Sequence, residues 1–516
     1  MRAEQADVLL HGGVVVGYPG SDAIAVSKGR IIAYGPYDSV KAHIGPRTHM
    51  LPLGGRVLIP GFIDCHQHFM EGAAVASGLS VVRCRSIADL LAELRIAAAK
   101  TPPGNWLRAF GCDEALVRER RGPTREELDQ AVPKNPLRLR HQTLHASWLN
   151  SRAIAALGLE SANRTLPQSA RLWRDPTGRL TGLVVGMEQW LTDRLPKVTA
   201  AELEARARFY SQELAANGIT AFTDATARNG EQEIATFAGL VANRAIKQRV
   251  SLMVGAEHLR QFGELQKLAA AGNLHLLGIK FVDVTQWEPG RLARAIVEAL
   301  TLGADCAFHV TEIEELDAVL RACQAAWPHL SHPVRSAIRI EHGGLIPPDY
   351  LRQIAPLGAW VVTNPGFIYY RGAKYAGEPG LVPYLYRGRS LLQAGIKLAA
   401  ATDAPVTPAK PLHAIAAAAA RVSLEGYELA PDERLSVDTA FTLFTSRAAE
   451  LSRLNAGETM IGRLADFAVL PADPLRMTPN ELMNLPVEAT IVGGQLIYER
   501  GRPPIAQSAG LPLFQS

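Results

Sequence analysis

Paired cysteines are missing from this chain. Its five, Cys65, Cys84, Cys112, Cys306 and Cys323, are scattered without pair spacing, so neither a disulfide framework nor a structural zinc knuckle is indicated. No apolar run reaches the ~18 residues of a membrane span, and the opening Met-Arg-Ala-Glu-Gln-Ala-Asp has no apolar signal core. Charge of one sign is equally scarce. Against 54 basic residues stand 50 acidic ones, a formal +4 with no basic block, which gives nucleic-acid binding no support. The expectation is a cytoplasmic protein without membrane or nucleic-acid partners.

What is present is length and apolar content. With 516 residues, 47% of them hydrophobic, the chain exceeds one small core and suits a (β/α)8 barrel of roughly 250 residues or more with an accessory domain. Within Gly61-Phe-Ile-Asp-Cys-His-Gln-His-Phe69, entered through Val57-Leu-Ile-Pro60, an apolar strand ends in His66 and His68. Strand residues i and i+2 share a face, so the two imidazoles converge above the strand's C-terminal end. Neutral imidazole is a ready ligand for a divalent metal. A bare His-X-His also arises by chance, and two satisfied surface histidines are the plain alternative.

The remaining strands bear on that choice. Runs reading as strands two to eight end near Asp224, Val254, Asp283, Val310, Gly343, Thr363 and Asp403, separated by helix-like segments. They carry Lys280 on strand four, His309 on five, His342 on six and Asp403 after eight. A barrel gathers strand ends round one mouth, so the ordered set His-X-His, Lys, His, His, Asp points to an assembled metal site. Lys280 sits in an apolar run where a free ammonium is costly. It is either a rim residue that snorkels or an amine converted by carbon dioxide into a carbamate. Asp64 is read equally as an orienter of an imidazole or as a capping or core residue. Glu341 is set aside, because it precedes a strand histidine and must point the other way.

Two further regions need partners. Strand-like runs from Asp7 to Pro60, with Lys28-Gly29 as a tight turn, are too few to bury a core. Ala465–Pro471 and Ala489–Tyr498 supply the missing strands. The chain is therefore expected to fold as a β-sandwich formed by both termini, residues 1–57 and 456–506, around a barrel spanning 58–455. Between strands one and two lies an insertion at about 70–216, with helices over Ser86–Lys100 and Ala200–Ala216 and a centre rich in turn formers. Loops after barrel strands sit at the catalytic face, so this insertion is expected to cover the site. Trp106, Trp148, Trp173 and Trp190 offer it apolar surface and Arg140, His141 and His145 polar anchors, ordinary core packing being the other reading of each tryptophan.

The chain resembles the amidohydrolase superfamily, in detail its YtcJ-like (amidohydrolase 3) branch. The resemblance is carried by Pro60-Gly-Phe-Ile-Asp-Cys-His-Gln-His68, Pro123-Thr-Arg-Glu-Glu-Leu-Asp129, His145-Ala-Ser-Trp-Leu-Asn-Ser151, Ile279-Lys280, Ile340-Glu-His-Gly343, Thr402-Asp-Ala-Pro405 and Gly462-Arg-Leu-Ala-Asp466. It implies a deep cation on His66, His68 and Asp403. It implies a second on His309 and His342, with carboxylated Lys280 between them and His145 contacting substrate. Two places depart from the branch: His309-Val-Thr-Glu-Ile313 resembles the His-X-X-Glu of related deaminases, and Asp283-Val-Thr285 replaces Asp-Gly.

The chemistry expected of such a set is hydrolysis of a C–N bond in a small molecule, an amide, N-acyl or cyclic amide, by metal-activated hydroxide. Asp403, His145 and His342 are the candidate catalytic residues, Asp403 as the proton carrier. Zinc suits the nitrogen and oxygen donors, as do iron, manganese and cobalt. The alternatives are a one-metal deaminase using Glu312, an esterase or lactonase, and a non-catalytic metal-binding protein. Even-numbered homo-oligomers are common on general grounds.

Overall fold

The computed structural model describes residues 4–161, 165–167, 169–330 and 337–502; residues 1–3 and 503–506 of the expected sandwich segments lie outside these. The chain divides into two compact units, Met1–Phe69 with Ser211–Ser516, and Met70–Tyr210.

The first unit contains an eight-stranded parallel barrel. Its strands are β1 (Phe62–Gln67), β2 (Ile219–Asp224), β3 (Arg249–Gly255), β4 (His275–Phe281), β5 (Asp305–Val310), β6 (Ile338–His342), β7 (Trp360–Thr363) and β8 (Lys397–Ala400), each hydrogen-bonded to the next in chain order. The strands are almost wholly buried, as expected where helices cover a parallel sheet, and this is why they read as apolar runs without alternation. The gap between β8 and β1 is closed differently at its two levels. Leu443 and Phe444 take the amides of Ala400 and Ile63 lower down, at 3.0 and 2.8 Å. At the mouth the chain pairs directly: Asp403 donates its amide to the His66 carbonyl at 2.9 Å, and His68 to that of Ala404 at 2.8 Å. The strand carrying two histidines and the loop carrying the aspartate are thus tied backbone to backbone.

A sandwich of two sheets belongs to the same unit. One sheet runs Arg30–Gly35, Ala23–Ser27, Val8–His11, His49–Pro52; the other runs Val14–Val15, Val57–Pro60, Phe467–Leu470, Ala489–Val492, Gln495–Glu499. Leu10, Ile24, Val26, Leu58, Phe467, Val469 and Ile491 form their shared core, so neither terminus could bury its strands alone. Lys28 and Gly29, at φ 50° and 73°, form the turn that the sequence marks. Val57–Pro60 lies wholly in the sandwich, so the boundary expected at 57/58 falls inside a strand. Asp466 fastens the sandwich to β3, its carboxylate accepting from Arg249 Nε and Nη2 at 2.6 and 2.9 Å.

The second unit holds what the turn-rich reading of the insertion did not resolve, a six-stranded sheet in the order Arg171–Arg174, Leu180–Val185, Ala146–Leu149, Leu137–His141, Leu107–Cys112, Leu79–Ser80. The expected helices are present as Ile87–Lys100, capped by Ser86 accepting the Asp89 amide at 3.1 Å, and Ala200–Ala216. Among the described residues no helix is long and apolar enough to cross a membrane.

Candidate metal centre

His66 is the next-to-last residue of β1, His68 follows that strand, and Asp403 follows β8. One ligand atom from each lies within 4.8 Å of the others, with Asp403 Oδ1 at 3.7 Å from His66 Nε2 and 3.3 Å from His68 Nε2. Each ring is held from behind: His66 Nδ1 lies 2.5 Å from Glu341 Oε2, and His68 Nδ1 lies 2.9 Å from Thr226 Oγ1. Asp403 has φ 57°, a left-handed conformation that aspartate tolerates better than most residues. His66 Nε2 and Asp403 Oδ1 are buried without a hydrogen-bond partner among the described residues. Unsatisfied buried polar atoms are uncommon and costly, whereas a divalent cation taking two imidazole nitrogens and a carboxylate oxygen would satisfy both. The donor set fits the metal that the sequence implies.

Beside this cluster His342 Nε2 lies 3.1 Å from His309 Nδ1, and its Nδ1 lies 2.9 Å from Asn364 Oδ1. Burial above all, then the neighbouring Lys280, pushes the His66 pKa well below its ordinary value. Burial and then His309 do the same to His342. Both rings are therefore neutral at pH 7, the form that binds metal. Lys280, 2% exposed, has no partner for Nζ among the described residues. Burial lowers its pKa to about 8, with the carboxylates of Glu341 and Asp403 opposing. Two clusters of metal-capable His, Asp and Glu side chains stand among the described residues, His66, His68 and Asp403 at the barrel mouth, and Asp113, Glu114 and His141 in Met70–Tyr210.

The structure corrects the dismissal of Glu341. Its side chain is fully buried, one oxygen toward His66 and the other accepting from Arg339 Nε at 2.7 Å. Arg339 also donates to the Cys65 carbonyl at 3.0 Å. β1 and β6 are not neighbours in the sheet, so Arg339 and Glu341, two residues apart on β6, reach across the barrel interior. Side chains alternate inside the strand, but His342 has φ 70° and ends it, so Glu341 takes the inward side while His342 reaches the mouth. The overlooked signal is Ile338-Arg-Ile-Glu341, two opposite charges on one face of a strand that burial would force to pair. Asp64 orients no ring. It accepts from the Thr402 amide at 2.9 Å and from the Thr402 hydroxyl, pinning the end of β8, and burial raises its pKa to about 7.

The sequence profile of the Amidohydrolase family matches residues 52–498. The chain belongs to the amidohydrolase family. The N-substituted formamide deformylase of Arthrobacter pascens is 26% identical to it over 93% of this chain and 95% of that protein. The putative amidohydrolase YtcJ of Bacillus subtilis (strain 168) is 24% identical over 93% and 96%, consistent with the YtcJ-like branch. The structure of an uncharacterized metal-dependent hydrolase from Pyrococcus horikoshii OT3 superposes with a TM-score of 0.70 at 21% identity, covering 92% of this chain and 99% of that one. Family, barrel and the grouped His66, His68 and Asp403 make this amidohydrolase a metal-dependent hydrolase.

Several motif residues of this amidohydrolase turn out to be scaffold within Met70–Tyr210. Asp129 accepts from the Ser151 amide and hydroxyl at 2.7 and 2.5 Å, and Arg125 Nε donates to Ser151 Oγ at 2.7 Å. Asn150 accepts from the Leu137 amide at 2.9 Å. Of the tryptophans, Trp148 and Trp190 are core, Trp106 packs partly buried against the second of these clusters, and Trp173 is exposed. Arg140 and His141 are engaged by Glu188 at 3.6 Å and Glu114 at 3.3 Å. His145 is exposed in the turn after Leu137–His141, its carbonyl accepting from the Gly186 amide at 3.2 Å. Glu312 is an exposed residue at the start of helix Ile313–Ala326, its amide donating to Glu315 Oε2 at 3.1 Å.

Proposed function

We propose that this amidohydrolase cleaves the C–N bond of an amide, with N-substituted formamides and other N-acyl amines as the first substrate class to try. The observation that carries this reading is the pair of buried atoms His66 Nε2 and Asp403 Oδ1, without a hydrogen-bond partner among the described residues, facing His68 at the barrel mouth. The deformylase named above supports the choice of amide. Zinc, which suits nitrogen and carboxylate donors, is the proposed metal, held deep by His66, His68 and Asp403. His309, His342 and Lys280, the last as its carbamate, would hold a second. A divalent cation in this place supplies Lewis acidity, polarising the substrate carbonyl and acidifying water.

The protein's own part is positional and protonic. Glu341 and Thr226 aim the two β1 histidines, and Asn364 aims His342. Asp403, whose second oxygen lies 4.0 Å from His342 Nδ1, takes the proton of the attacking water and returns it to the departing nitrogen. A cytosolic setting is proposed on the five cysteines, which are free in the structure.

The test is a substrate panel of N-substituted formamides, other N-acyl amines, cyclic amides, esters and aminated heterocycles, run with zinc-, manganese-, cobalt- and iron-loaded protein. Release of an amine and an acid from an amide is expected. Ammonia released from an aminated heterocycle, with every amide left intact, would overturn the reading in favour of a deaminase.

His145 is proposed as a substrate contact on the family resemblance. Since its side chain is exposed, His145→Ala should leave Tm within about 2 °C, surface changes being worth little, while kcat/KM falls at least about tenfold. A fall in Tm with kcat/KM unchanged would make it structural.

A further inference from the structure

The Arg339–Glu341 pair lies where a barrel ordinarily packs branched aliphatic side chains. Both residues are 0% exposed, and a buried ion pair is weak evidence for stability, since well-packed apolar residues often serve as well or better. A role other than packing can be read from where each atom goes. Arg339 has only donors and stays protonated. Its Nε occupies Glu341 Oε1 at 2.7 Å, leaving Oε2 for His66 Nδ1 at 2.5 Å. With Oε1 taken by the guanidinium, Oε2 is the acceptor that Glu341 turns to the ring. His66 Nδ1 must therefore carry the proton, and Nε2, the atom 3.7 Å from Asp403 Oδ1, must be bare.

We infer that Glu341, anchored by Arg339, is a positioning residue for the metal centre: it fixes His66 as the Nδ1–H tautomer and directs its bare Nε2 toward His68 and Asp403. The inference rests on the proposed reading of His66 as a ligand. The donor logic makes the isosteric variant unusually informative. In Glu341→Gln the side chain offers one acceptor and one amide donor group. Arg339 demands the acceptor, so the NH2 faces His66 Nδ1 and drives the ring to the Nε2–H tautomer, which cannot bind metal. Removing the guanidinium as well, in R339M/E341Q, frees the amide to turn and accept from Nδ1–H.

The experiment measures the zinc Kd of the metal-free proteins by competition with a chelator. E341Q is expected to bind about 10–100-fold more weakly than the wild type, the loss typical of removing the outer partner of a ligating histidine. R339M/E341Q should recover to within a few-fold of the wild type, which a residue that merely fills space would not allow. A readout that needs no variant of the pair is histidine 15N NMR of the metal-free wild type, with His66 assigned by its loss in H66N; it should show Nδ1 protonated and Nε2 bare. An E341Q that binds as tightly as the wild type, a double variant no tighter than the single, or a His66 protonated at Nε2 would each overturn the inference while leaving the metal centre standing. A wild type that binds no zinc would instead overturn the metal-centre reading beneath it.

Discussion

Replacing His66 or His68 with alanine is expected to remove the deep metal and nearly all turnover. Each histidine supplies one of three grouped donors, and a ligand lost outright should cost more than the about 10–100-fold that loss of an outer partner costs. The two variants should differ in stability. His66 is buried against Glu341, so His66→Ala leaves a buried carboxylate oxygen unpaired, which costs about 1–3 kcal/mol. The side chain of His68 is 23% exposed and its partner is a hydroxyl, so His68→Ala should cost less. Elemental analysis reads the metal, and urea unfolding in the presence of chelator reads the stability. Either variant retaining full metal and turnover would remove that histidine from the centre.

The second large effect is expected at Lys280. Its amine is buried without a partner among the described residues, and burial lowers its pKa to about 8. At pH 7 roughly a tenth of it is therefore free amine, against well under a thousandth for an ordinary lysine. Free amine is the form that reacts with carbon dioxide, and its fraction rises as the pH rises through about 8. Incorporation of a second metal in the presence of bicarbonate should rise with it. Lys280→Ala should lower both the metal stoichiometry and the turnover, with partial rescue by short carboxylic acids that refill the place of the carbamate. Lys280→Arg should not be rescued, since guanidinium keeps its charge and fills the space. A Lys280→Ala protein with wild-type stoichiometry and turnover would rule out the bridge.

What could be read in the sequence follows a physical line. The barrel was legible because its strands are short apolar runs spaced by helices, and because His66, His68, His309, His342 and Asp403 fall at or just past strand ends, where one mouth collects them. The sandwich was legible from unpaired strands at both ends of the chain, which Phe467 and Ile491 complete by packing on Leu10 and Ile24. The sheet of Met70–Tyr210 was obscured because its strands are two to six residues long and separated by glycine and proline, which read as loop. Glu341 was missed for a subtler reason. Period-two alternation says which residues share a face, not which face is inward, and the left-handed turn at His342 lets consecutive residues serve one site. The contact of Arg339 with Cys65 across the barrel is long-range, and no local pattern carries it. Asp64 shows the reverse limit: its position beside the ligand strand was plain, but its partner, Thr402, lies 338 residues away.

Metal dependence of the reaction itself is the most direct test of the account. The wild-type protein would be stripped with a chelator, then titrated with zinc in the presence of bicarbonate while hydrolysis of a panel substrate is followed. Stripping should abolish turnover, and zinc should restore it in proportion to metal bound, saturating at one or two equivalents per chain. Full hydrolysis by protein shown by elemental analysis to hold no metal would contradict it.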